Sequence, residues 1–256
     1  MGRRITLLSW ELNDPIRVLI TTLGILVTGY IFQHSLLTST GEIGTVSTSV
    51  NGLNSMSGFV IARAITSEDF WIIATFFIAM LVTLTFRAGI EGRYELTTYS
   101  LPYSKSEIFA VKLLVSFLLS LLVVFVPFFV LVSINFAETP KFVLSLFTGE
   151  RFMALLIVVF MAIFYILSLT LFLSVTLRNM FAVLVFAFPL LVIPYFVTAN
   201  LPPGNLLRET AVSISTGEYF TLSQFLLQPR FVVGGLVVPL MLTLVSFVII
   251  LWRDVR

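Results

Sequence analysis

The chain contains no cysteine, one histidine and only three lysines, and 11% of its 256 residues are charged. Without cysteine there is no disulfide, no thiolate metal site and no cysteine nucleophile. His34 stands alone, with no H-E-x-x-H around it, and reads as an interfacial residue and not a metal ligand. No G-x-x-x-x-G-K-[ST] occurs and none of the lysines lies in a phosphate-binding loop, so no ATP-hydrolysing motif is present. The net charge of +2 is too small to point to nucleic acid. So little polar sequence leaves room for one polytopic domain, residues 1–256, and none for a separate soluble catalytic domain. The residues themselves yield no catalytic, cofactor-binding or metal-binding set.

What the chain has instead is six apolar runs free of acidic and basic side chains: Val18–Gln33, Phe70–Phe86, Leu113–Ile134, Phe152–Leu177, Asn179–Asn200 and Phe231–Trp252. A helix of about 20 residues crosses a hydrocarbon core of roughly 30 Å. A charge at mid-bilayer costs about 3 kcal/mol on insertion scales, so charge-free runs of this length mark spans. The pattern predicts an all-α, six-span integral membrane protein, with spans at about 16–34, 68–87, 111–134, 152–177, 180–199 and 231–252. The first run is longer than the apolar core of a signal peptide and no small-residue cleavage pattern follows it, so it reads as a retained span.

An even number of spans puts both termini on one side. Placing them in the cytoplasm gives that side Arg3, Arg4, Arg17, Arg87, Arg93, Lys105, Lys112, Arg178, Arg253 and Arg256, and leaves Arg63, Lys141, Arg151, Arg208 and Arg230 outside. Ten basic residues against five favour termini-in by the positive-inside bias.

Between the spans the sequence carries local signals. In residues 3–13, Ile5, Leu8 and Leu12 share one helical face while Arg3, Arg4 and Glu11 lie elsewhere. That predicts a helix in the cytoplasmic interface with Trp10 at headgroup level, the alternative being a polar tail. Asp14-Pro15 reads as an N-cap and first helical position, and Ser67 with Glu68 and Asp69 as the cap of the second span. The Ser-, Thr-, Gly- and Asn-rich stretch 35–58 reads as an outer loop, with Ile43, Val46, Val50 and Leu53 at helical spacing inside it. Ser104 and Glu107 form the S-x-x-E of a capping box, just after the Leu101-Pro102 break, and start a helix that runs into the third span. Arg178-Asn179 makes a tight hairpin between spans four and five. Pro127, Pro189, Pro194 and Pro239 fall inside spans as kink sites. Apolar patches in 200–230 (Ala211–Ile214 and Phe220–Leu227) predict short outer helices dipping into the membrane.

No span carries Asp, Glu, Lys or Arg at its middle, which argues against proton-coupled antiporters, voltage sensors and intramembrane metalloproteases. An intramembrane serine protease would need a His or Lys at depth beside a serine, and none is placed for it. In span four Tyr165, Ser168, Phe172 and Thr176 share one arc, which fits either a pore-facing stripe or ordinary small-residue helix packing. The mixed charges of Glu91, Arg93, Glu95, Lys105 and Glu107, with Tyr94, Leu101 and Tyr103 as apolar anchors, fit either a docking surface or a solvated loop.

The segment Glu91-Gly92-Arg93, Glu95-Leu96, Leu101-Pro102-Tyr103-Ser104, Glu107-Ile108 and Lys112 resembles the type 2 ABC exporter permeases. Members of that family typically show an acidic-Gly-Thr-Leu-Glu-like stretch after span two, a Leu-Pro-(Val/Ile)-Ser turn, and an acidic-Ile-x-x-x-Lys opening of span three. The six-span layout, the N-terminal interfacial helix, the short hairpin after Ser174 and the outer helices before span six are similar to the same family; residue-level likeness covers about 25 cytoplasmic positions. The resemblance implies a permease subunit that pairs with an identical or paralogous permease and docks separate ABC ATPase subunits, in a prokaryotic plasma membrane. It implies that residues 88–110 hold a coupling helix, with Glu91, Arg93, Tyr94, Glu95, Leu101, Pro102, Tyr103, Ser104, Lys105 and Glu107 at the ATPase interface. ATP and magnesium are then expected in the partner ATPase, none in this chain, which is not itself an enzyme. Tyr94 and Tyr99 are bulkier than the family's usual residues. Two other classes stay open: a non-transporting membrane module that anchors or transmits force from an ATPase complex, and, needing convergent polar residues at one depth, an intramembrane enzyme acting on lipid.

Overall fold

The computed structural model describes residues 2–43, 60–61, 63–88, 103–135, 150–196, 202–207 and 229–252. Among these the backbone is helical apart from short turns, and no strand occurs. Helix α1 spans Gly2–Leu12 and α2 spans Pro15–Ile43. Helix α3, Glu68–Thr83, passes into a π-turn at Leu84–Ala88. Helices α4, Lys105–Asn135, and α5, Glu150–Thr176, are followed by α6, Met180–Phe196. A short helix α7, Pro229–Val232, leads through a second π-turn, Val233–Val237, into α8, Val238–Trp252.

Five of these segments are long and apolar enough to cross a membrane: Pro15–Thr38, Glu68–Arg87, Lys105–Asn135, Met153–Thr176 and Val233–Trp252. The expected fifth span, 180–199, corresponds to α6, which is equally apolar but shorter at 17 residues; residues 197–199 lie outside the described ones. Surface chemistry agrees with a hydrocarbon surround. Helix α6 buries Val183, Ala187 and Leu191 and exposes Phe181, Val185, Phe186, Leu190 and Ile193, while α8 exposes Leu240, Met241, Leu244 and Val248. Apolar faces of that extent are rare on proteins bathed in water.

The bundle is built around α3 and α5. Helix α3 touches α2, α4, α5 and α6, and α5 also meets α6 and α8. Accordingly 61% of the α3 span is buried and only 22% of the α8 span. Phe70, Trp71, Ala74, Ile78, Leu81 and Val82 recur at three- and four-residue spacing on α3, so almost its whole surface meets other helices. An aromatic group ties three helices together, with the Phe32 ring centroid 5.7 Å from Phe70 and 5.6 Å from Phe128. Helices α2 and α4 approach closely at Gly24, where an added Cβ would stand 3.0 Å from a methyl of Val123. Thr28 on the next turn of α2 donates its hydroxyl to the Val123 carbonyl at 2.9 Å. Small residues and interhelical hydroxyl bonds are how helices associate where lipid removes the hydrophobic drive. Within the helices Thr21, Thr83, Thr85, Ser120, Thr170, Ser174 and Ser246 satisfy their hydroxyls on the carbonyl one turn back.

Several local expectations meet their geometry. Asp14 Oδ1 accepts from the Ile16 amide at 3.0 Å, with Pro15 opening α2. The hairpin between α5 and α6 is Leu177–Asn179, and Asn179 Oδ1 accepts from the Phe181 amide at 2.7 Å. Pro127, Pro189 and Pro194 sit inside helices, and Pro239 lies at the start of α8.

Three others are corrected. The stretch 35–58 is not a loop from its beginning, because α2 continues to Ile43; Thr38 donates to the His34 carbonyl at 3.1 Å and no proline or glycine intervenes before Gly41. Ser67 occupies the N-cap position of α3 but makes no side-chain cap; its hydroxyl lies 3.2 Å from that of Ser35 on α2. Glu11 does not face solvent with the polar side of α1. It is buried at the α1–α2 elbow, paired with Arg17, whose Nε also lies 3.4 Å from Asp14. The remainder of α1 behaves as an amphipathic helix: Leu7 is buried, Leu8 and Leu12 pack near Ile20, Leu81 and Val115, and Trp10 is exposed.

Candidate functional site

The candidate site is the end of the bundle where α3 finishes and α4 begins. Of its ten sequence-predicted residues, Glu91, Arg93, Tyr94, Glu95, Leu101 and Pro102 lie outside the described residues, as does any helix between 89 and 102. Tyr103, Ser104, Lys105 and Glu107 are described, and they form the capped start of α4.

Both arms of the capping box close. The Ser104 hydroxyl accepts from the Glu107 amide at 3.2 Å, and Glu107 Oε2 accepts from the Ser104 amide at 3.2 Å. Each bond satisfies an amide that the first helical turn leaves without a carbonyl partner. Glu107 also places negative charge at the positive end of α4. Tyr103, Lys105 and Glu107 are half-buried and Ser104 is exposed. From here α4 runs as one 31-residue helix to Asn135, with Pro127 inside it. Ser104→Ala is expected to destabilise this turn by about 1 kcal/mol. Hydrogen exchange at the amides of 105–108 should rise several-fold while exchange at mid-helix stays unchanged; uniform change along α4 would refute local capping.

Before the segment the chain leaves α3 through the π-turn Leu84–Ala88. There the buried Arg87 donates from a terminal nitrogen to the carbonyl of Arg178 in the α5–α6 hairpin. Phe86 and Phe109 rings lie 5.8 Å apart, and Phe109 and Phe247 5.1 Å, which joins the end of α3 to the start of α4 and to α8. The described residues on either side of 89–102 are thus each held, Arg87 by the hairpin and the start of α4 by its two caps. π-turns of this kind insert one residue into a helix and gather at functional sites. In the sequence Arg87 marks orientation and Arg178 marks orientation and a hairpin; nothing local announces a bond between residues 91 positions apart.

The span-four arc is divided by the structure. Ser168 is buried between α5 and α8, its hydroxyl 3.0 Å from that of Thr243. Tyr165 and Phe172 are half-buried, Tyr165 packing against the main core. Thr176 is exposed at the end of α5, donating to the Phe172 carbonyl at 2.9 Å. The four residues share an arc of α5 without sharing one environment.

The chain matches no protein-family model, and no characterised protein matches it in sequence.

Proposed function

We propose that this chain is the permease subunit of an ATP-driven exporter, crossing a prokaryotic plasma membrane six times with both termini in the cytoplasm. It pairs with a second permease, identical or paralogous, and receives work from separate ATPase subunits through residues 88–110. The observation that carries this reading is how the end of α3 and the start of α4 are held. Arg87 fixes one end to the α5–α6 hairpin, and Ser104 and Glu107 re-cap the other. A load applied at Arg87 or at the capped turn of α4 reaches α3, α4 and the α5–α6 hairpin together. The resemblance of Glu91–Lys112 to the coupling region of type 2 ABC exporter permeases supplies the kind of partner, and α1, packed on α4, is a second lever at the same end. The sixth crossing is α6.

The Ser168–Thr243 bond favours one alternative, a module that transmits force without a polar path, because it places those span-four and span-six hydroxyls in helix packing.

Affinity purification of the tagged chain from detergent extract, beside Glu95→Lys and Tyr103→Ala, tests the docking role. An ABC ATPase should co-purify with wild type and fall at least tenfold in Glu95→Lys, since a reversed charge at a docking surface sets like charges together. Unchanged recovery in both variants, or no ATPase at all with wild type, would overturn it.

A further inference from the structure

Buried hydroxyls on the spans follow a common habit, from which one facing pair departs. Thr21, Thr83, Thr85, Ser120, Thr170, Ser174 and Ser246 donate to the carbonyl one turn back. Thr28 does so and also reaches Val123, while Ser35 and Ser168 meet Ser67 and Thr243. Thr75 on α3 is fully buried and makes neither kind of bond; Ser116 on α4 is likewise unpartnered. Across the α3–α6 interface Thr75 has Tyr195 as a neighbour, only 9% exposed, and its phenol oxygen is without a partner too. We propose that Thr75 and Tyr195 are the two halves of a latch, open in this structure, which closes by a hydrogen bond from the Tyr195 phenol to the Thr75 hydroxyl.

The surroundings favour closure. Neither oxygen is reached by solvent, so the partner of each must come from the protein, and an unpartnered hydroxyl is costly inside a hydrocarbon surround. One arrangement satisfies both donors. The phenol donates to Thr75 Oγ1, and Thr75 donates to the Trp71 carbonyl one turn back, as Thr83 does to Ala79. The closed form leaves neither hydroxyl without a partner and is therefore the more populated.

Helix α6 is built to carry the phenol. Pro189 and Pro194 supply no amide to the carbonyls of Val185 and Leu190, four residues back, so the end of α6 is held by fewer backbone bonds than α3, which contains no proline. Tyr195 lies just beyond both prolines, whereas Thr75 sits midway along the most buried span. A change in the bend of α6 thus moves Tyr195 against a fixed Thr75. The move is passed on: a Cβ at Gly204 would stand 3.3 Å from both the Pro194 carbonyl oxygen and the Tyr195 ring, so residues 202–207 lie flush against the end of α6 and travel with it. The latch concerns the end of α6 remote from the Leu177–Asn179 hairpin and uses no residue of the candidate site, so its failure leaves the exporter reading standing, and the reverse.

Ultraviolet resonance Raman spectroscopy of the purified chain in detergent tests it, because tyrosine bands report whether the phenol donates a hydrogen bond. Subtracting the spectrum of Tyr195→Phe, made in each background, isolates Tyr195 from the other tyrosines. Tyr195 should donate in the wild type, lose its acceptor in Thr75→Val and keep it in Thr75→Ser. Pro194→Ala restores the amide to Leu190 and stiffens α6, so the donating fraction should fall at least twofold. Thr75→Val and Tyr195→Phe preserve shape, and each should lower the thermal midpoint by about 2–4 °C, the double variant no further than the larger single loss. A Tyr195 that does not donate in the wild type, an unchanged signal in Thr75→Val, or additive midpoint losses would overturn the latch. An unchanged signal in Pro194→Ala would overturn the bend of α6 as what moves it.

Discussion

Replacing Arg17 with methionine is expected to be the most damaging single change in the membrane-proximal part of the chain. Glu11 and Arg17 are 3% and 8% exposed, and their pairing closes the elbow between α1 and α2. Arg17 also donates to the Glu11 backbone carbonyl at 3.1 Å, so one side chain satisfies the last turn of α1 and neutralises its carboxylate. Methionine keeps the aliphatic stem and removes the charge, leaving Glu11 buried without its partner. Breaking a buried pair from one side costs about 3–5 kcal/mol, because the remaining ion keeps its desolvation penalty. The double variant Glu11→Leu with Arg17→Met removes both charges and should recover most of that loss, since apolar replacement of a buried pair is often neutral. Thermal unfolding of the detergent-solubilised protein checks this: a large drop in midpoint for Arg17→Met, and a midpoint near wild type for the double variant. Equal midpoints for wild type and Arg17→Met would show that the pair contributes nothing to stability.

Glu11 is instructive about what a sequence discloses. Its helical phase sets it off the apolar face of Leu8 and Leu12, and that phase is correct. What phase does not contain is the turn at Asn13-Asp14, which folds α2 back so that Arg17 reaches over the polar side of α1. The features that were legible are those whose partners sit within four residues. Asp14 caps the Ile16 amide, and Ser104 and Glu107 cap each other, both because a backbone turn brings near neighbours together whatever the tertiary fold. The five long apolar helices were legible for a related reason, since the exclusion of charge from hydrocarbon acts on each helix separately.

Ser67 marks the limit. It has the residue type, the position and the extended backbone of an N-cap, yet its hydroxyl meets Ser35, 32 residues away, and local rules carry no knowledge of that competitor. At the candidate site the same division holds. The capping box was read correctly from four residues, whereas the bond from Arg87 to the Arg178 carbonyl depends on how α3 and α5 pack, and only the assembled bundle reveals it. The arc of Tyr165, Ser168, Phe172 and Thr176 fits a pore-facing stripe or ordinary helix packing, and Ser168, its hydroxyl 3.0 Å from that of Thr243, falls to packing.

The second large effect is expected at Gly235. Two consecutive glycines, Gly234 and Gly235, are both buried in the π-turn Val233–Val237, which turns adjacent positions toward α5 and residues 202–207 together. A Cβ at Gly235 would stand 2.8 Å from the Met161 sulfur and 3.0 Å from the Met161 Cβ. The sulfur is the far part of a flexible side chain and can swing away; the Cβ is fixed to the backbone of α5 and cannot. Gly235→Ala must therefore part α5 from the π-turn or distort the turn, and overpacking of this kind costs about 1–3 kcal/mol. A general gain in helix propensity from glycine to alanine, about 1 kcal/mol, acts in the opposite direction. Gly235→Val, which enlarges the clash without that propensity gain, should exceed it. Met161→Ala in the Gly235→Ala background clears the sulfur contact but leaves the Cβ contact, so rescue should be partial, and the two changes should be less harmful together than the sum of each alone. Thermal unfolding of the four-protein cycle measures this directly. Additive losses, or a Gly235→Ala protein more stable than wild type, would mean that the closeness of α5 to the π-turn is not maintained by the absence of a side chain at position 235.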